Sequence, residues 1–109
     1  MQTLIITSDK TSWAVRPQLW LLDKYWKQHG PINVAGYTVP EWDMPRGATF
    51  HSIGRFADYP VERWTNGLIK ALRAIEDEVV LFLMDDYWPF RDIDHRGMVQ
   101  MYNYMQTHS

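Results

Sequence analysis

The 109-residue sequence predicts a single α/β domain, a three-layer sandwich built around a mostly parallel sheet. Three observations lead there. Short uninterrupted apolar runs alternate with segments whose apolar residues recur every three or four positions, the order in which parallel strands and crossover helices follow one another. The run from Val79 to Met84 is apolar throughout, the mark of a central strand covered on both faces. The length is near the commonest size for one domain, enough for a core and too short for two.

Taken in order, Leu4 to Thr7 is a first strand, broken by Ser8-Asp9. Pro17 opens a helix in which Leu19, Leu22, Tyr25, Trp26 and His29 share a face until Gly30-Pro31 stops it. Ile32 to Tyr37 is a second strand, followed by a loop rich in breakers, with Pro40, Pro45 and Gly47. Phe50 to Ile53 is a third, closed by Gly54. Pro60 opens a second helix with Val61, Trp64, Leu68, Leu72 and Ile75 on one face, ended by Glu76-Asp77-Glu78. After the Val79 to Met84 strand, Asp92 caps a last helix running through Gln106, with Ile93, Met98, Met101, Tyr102 and Met105 as its apolar face.

Composition excludes several classes. A net charge of -2 without a run of basic residues leaves no surface for phosphate-driven nucleic-acid binding. With no Cys there is no disulfide, thiolate metal site or cysteine nucleophile, and an intracellular compartment is permitted. The apolar N-terminal stretch is far too short for a secretory or membrane segment, so no membrane span and a cytoplasmic location are expected. His29, His51, His95 and His108 lack zinc-site spacing, and neither a phosphate loop nor a Gly-x-Ser-x-Gly elbow is present. A phosphoacceptor receiver domain needs its acidic pair after the first strand, whereas here the pair follows the last. Six Trp, six Tyr and four Phe are about twice what a core of this size needs, which points either to a surface role for the rest or to a Trp-heavy core with snorkelling edges.

Open parallel sheets bind ligands at the carboxyl ends of their strands, and that edge carries Thr7, Ser8, Asp9, Asp85 and Asp86. Two adjacent carboxylates after a buried strand call for compensation, and Mg²⁺ or Mn²⁺ shared with substrate phosphates supplies it. The plainer alternative has Asp85 capping the strand while Asp86 faces solvent or pairs with Arg91.

The stretch WTNGLIKALRAIEDEVVLFLMDDYWP, Trp64 to Pro89, resembles the part of GT-A-fold glycosyltransferases in which a helix of the form N-G-x-x-x-A precedes a hydrophobic strand ending in an acidic D-x-D motif. The opening LIITSD is similar to the first strand of that Rossmann-like fold. The resemblance implies a nucleotide-sugar transferase and its donor-binding half. It implies a nucleoside-diphosphate sugar as ligand, with Mn²⁺ or Mg²⁺ as metal cofactor on Asp85 and Asp86. It places Thr7, Ser8, Asp9 and Asp85 around the nucleotide, with Asn66 and Lys70 approaching it from the preceding helix, where plain solvent exposure is the favoured alternative for both. The third motif position is Tyr87, a departure, and sliding the register by one puts Met84 first and makes Asp86 the metal ligand. No Asp or Glu follows Asp94 to act as the base of an acceptor half. The competing expectation is therefore a non-catalytic ligand-binding or assembly module. The apolar face of the last helix adds the expectation of a homo-oligomer.

Overall fold

A computed structural model describes residues 1–108, apart from the side chain of Val61. Four strands, β1 (Gln2–Ile6), β2 (Ile32–Gly36), β3 (Ala48–Ser52) and β4 (Val80–Met84), and three helices, α1 (Val15–Tyr25), α2 (Trp64–Arg73) and α3 (His95–His108), follow one another in the expected alternation. All strands are parallel, in the order β3-β2-β1-β4. The chain therefore builds outward from β1 through β2 to β3, then returns to the other side of β1, so the direction of winding reverses between β1 and β4.

Alternation along β1 and β2 divides the apolar core in two. Ile5, Ile32 and Val34 pack with Val15, Leu19, Leu22 and Trp26 of the α1 region, against which Ile93 and Met98 also rest. Leu4 and Ala35 point the other way, onto Ala71 of α2 and onto Ile53 and Ile75. Leu4 and Ile5 are wholly buried, each contributing about 1.5–3 kcal/mol by transfer from water.

Four expectations need correction. The Val79 to Met84 run is not a central strand: among the described residues β4 pairs only with β1 and forms an edge, with Phe82 and Met84 exposed. α1 ends at Tyr25 rather than His29, because Trp26 leaves helical backbone (φ -144, ψ 68) as it enters the core. On α2 the buried stripe is Gly67, Ala71 and the nearby Ile75, while Trp64 and Leu72 stay exposed. A Cβ on Gly67 would lie 2.7 Å from Ile53 Cδ1, so the small residue lets the helix backbone approach the sheet side. Finally, Asp92 is not the cap of α3. Asp94 Oδ1 accepts the Gly97 N–H at 3.0 Å, while the Ile93 N–H is held by Tyr25 O at 2.9 Å and keeps the preceding residues out of the helix. No helix among the described residues is long and apolar enough to cross a membrane.

Candidate functional site at the carboxyl edge of the sheet

The reversal of winding sets the ends of β1 and β4 side by side, and the side chains that follow them meet there. Asp85 is buried, and its Oδ2 accepts from Thr7 Oγ1 at 2.8 Å and from Thr11 Oγ1 at 2.5 Å. Thr11 has one hydroxyl hydrogen and gives it to Asp85, so Ser8 Oγ, 3.0 Å away, is the donor to Thr11 Oγ1. The buried carboxylate is thus compensated by hydroxyls, and charge-assisted bonds of this kind are about twice as strong as neutral ones. Asp86 is exposed and forms no ion pair among the described residues. The two aspartates occupy the centre of a β-turn closed by Tyr87 N to Met84 O at 3.2 Å.

That turn is held from below. Gln18 of α1 is fully buried, and its Nε2 donates to Met84 O at 2.8 Å and to Tyr87 O at 2.9 Å. Just beyond the turn, Trp88 Nε1 donates to Ala14 O at 3.2 Å, and its ring meets Trp13 edge to face at 6.2 Å.

On the other side of β1, Asp9 joins the loops after β1 and β2. Its Oδ1 accepts the Thr38 N–H at 3.1 Å and its Oδ2 the Thr38 hydroxyl at 2.9 Å. Beside this clip lies an open cleft of about 460 Å³ lined by Asp9, Ser12, Trp13, Thr38, Glu41 and Trp42. Two indoles and several hydroxyl or carboxylate acceptors in one concavity suit a flat, polar-edged ring.

Of the residues singled out in the sequence, Thr7, Ser8, Asp85 and Asp86 come together, and Asp9 stands across β1 in the cleft wall. Asn66 is exposed in the first turn of α2. Lys70 is committed elsewhere: its Nζ donates to Ile53 O at 2.8 Å and lies over the Tyr59 ring. Thr11, Gln18 and Thr38 belong to the site and were missed. Thr11 and Gln18 are 74 and 66 residues from their partners, and only strand order brings them there. The polar Gln18 on the apolar side of α1 was the one available signal. No group of three or more metal-ligating side chains occurs among the described residues. A hard divalent cation that takes one carboxylate plus water and phosphate oxygens asks for no such group, and exposed Asp86 meets that requirement.

Comparison with protein families, with curated proteins and with solved structures finds no match to this chain.

Proposed function

We propose that the chain binds a nucleoside diphosphate sugar at this edge, with Mn²⁺ or Mg²⁺ carried by Asp86, and serves as the donor-binding part of a glycosyltransferase. The observation behind the reading is the reversal between β1 and β4, which is where open α/β sheets take ligands, with an exposed carboxylate beside it and an aromatic cleft across β1. In this reading the base lies between Trp13 and Trp42, the ribose meets Asp9 and Ser8, and the diphosphate reaches over β1 toward Asp86. Thr7, Thr11 and Asp85 form the floor that fixes the turn. A diphosphate approaching a carboxylate is repelled unless a cation lies between them. When bound, such a cation neutralises charge on the leaving diphosphate. The architecture we read as a Rossmann-like three-layer sandwich, which the two core clusters on opposite sides of β1 and β2 support.

The test is calorimetric titration with uridine diphosphate, with Mn²⁺ and then with chelator. Binding that is stronger with Mn²⁺ and loses that gain in Asp86→Ala, while Asp9→Ala weakens binding in both conditions, supports the reading. Equal affinity with and without metal removes the cation, and no binding in either condition removes the nucleotide. In that last case the second reading takes over, a non-catalytic assembly module. It is favoured by the unpaired edge of β4, where Phe82 and Met84 lie open, and by exposed Met101, Tyr104 and Met105 on α3.

A further inference from the structure

We infer that Gln18 is the positioning residue of the acidic turn, its single amide nitrogen clasping the carbonyls at both ends of the turn and so fixing where Asp86 points. The consequence for ligand binding rests on the function proposed above; the clasp itself does not.

The argument starts from what the residue costs. Gln18 is wholly buried among apolar neighbours of α1, where a leucine of similar size would fill the space without any polar group to satisfy. Its Oε1 has no partner among the described residues, a buried acceptor that is unfavourable by itself. The amide orientation is fixed by chemistry: turned over, Oε1 would face two carbonyl oxygens. Met84 O already accepts the Tyr87 N–H that closes the turn, and its second lone pair takes the Gln18 hydrogen at 2.8 Å. Tyr87 O takes the other at 2.9 Å. Both ends of a four-residue turn are thereby tied to one rigid group on a helix, leaving Asp85 and Asp86 only the directions set by the turn. Asp85 is sent inward to Thr7 and Thr11 and Asp86 outward. Thr7 and Thr11 hold Asp85 and the Trp88 indole is tied to Ala14 O beyond the turn; Gln18 is what fixes the two carbonyls between these anchors.

The experiment uses the whole chain, with two substitutions. Gln18→Met keeps the volume and removes both donors, and Gln18→Glu keeps the shape and sets a carboxylate against the two carbonyls. Three readouts are compared at a temperature where circular dichroism shows each variant folded. In the wild type, the Gln18 side-chain NH₂ hydrogens exchange with solvent far more slowly than those of exposed Gln and Asn. In Gln18→Met, exchange of the Tyr87 backbone amide, which closes the turn onto Met84 O, accelerates by about tenfold or more while that of β1 and β2 is unchanged. In the same variant the Mn²⁺-dependent gain in uridine diphosphate affinity falls to the level of Asp86→Ala, and combining the two substitutions loses nothing further. A purely structural glutamine would lower the melting temperature and leave turn exchange and metal dependence as they were, which overturns the inference. Should either variant fail to fold, fast exchange of the Gln18 NH₂ in the wild type overturns it alone. If the wild type shows no metal-dependent binding, the proposed function falls, and exchange at Tyr87 still decides the role of Gln18.

Discussion

Removing the Asp85 carboxylate leaves the Thr7 and Thr11 hydroxyls aimed at an empty space, with Thr7 itself buried. Asp85→Ala is therefore expected to lower stability by about 2 kcal/mol or more, read as a lower urea midpoint at constant slope. Asp86→Ala, one residue away on the exposed side, should stay within about 0.5 kcal/mol of the wild type and lose only the metal-dependent part of ligand binding. An equal stability loss in both variants would contradict the division between an inward and an outward carboxylate. At this scale the sequence was informative about the edge: a strand that stops at Asp85-Asp86 and another that stops at Thr7-Ser8 point to the same end of a parallel sheet. It offered Asp85 at the strand end with Asp86 toward solvent only as one of two alternatives, because the choice depends on Thr11, and no local spacing joins Thr11 to Asp85.

The elements differ in how firmly they are attached, and α3 is the loosest. None of its residues is buried, and it is fastened near its start and its middle. Near the start, Trp26 Nε1 donates to His95 Nδ1 at 2.9 Å; His95→Ala leaves a buried indole N–H without an acceptor and should cost about 1–3 kcal/mol, with a change in the near-ultraviolet signal of Trp26. In the middle, Tyr102 donates to Asp77 Oδ1 at 3.1 Å, and Asp77 also accepts the N–H groups of Val79 and Gln2. Burial pushes the Asp77 carboxyl up, but these three hydrogen bonds and the nearby amino terminus pull it down further, so its pKa lies below the usual 3.8. A carboxylate lowered on folding stabilises above its unfolded pKa and loses that contribution as pH falls through the folded one. The stability advantage of the wild type over Asp77→Asn should therefore be full at neutral pH and shrink below about pH 4, measured by urea unfolding across that range. Periodicity made α1 and α2 legible, and apolar runs revealed all four strands. What it could not provide was lateral neighbours: the apolar run of β4 reads like a strand covered on both faces, but whether a further strand lies beside it is a property of the whole sheet. The α2 stripe departs from the apolar periodicity for a related reason: large residues mark one face of the pattern, whereas the contact runs through Gly67 and Ala71.

For the whole molecule, the open side of β4 is the feature with the widest reach. It presents unpaired backbone groups along Val80–Met84, with Glu78 exposed before it and Asp86 exposed after it. Two copies pairing these edges about a two-fold axis run antiparallel, which sets Glu78 of one near Asp86 of the other. If the chain self-associates this way, dimerisation should strengthen as salt rises from about 20 to 300 mM, where the screening length falls below about 10 Å, and Phe82→Lys should abolish it. Sedimentation that shows a monomer at high micromolar concentration in both salts removes the dimer. The same strand order has a bearing on how the chain is made. β1 is synthesised first and lies inside the sheet, yet one of its two neighbours, β4, is added last, with Thr7 and Asp85 separated by 78 residues. At synthesis rates of about 5–20 residues per second, β1, α1 and β2 leave the ribosome several seconds ahead of β4. Through that interval Thr3 to Ile6 form a bare border rich in β-branched residues on a growing nascent chain, an open strand edge of the kind a chaperone shields.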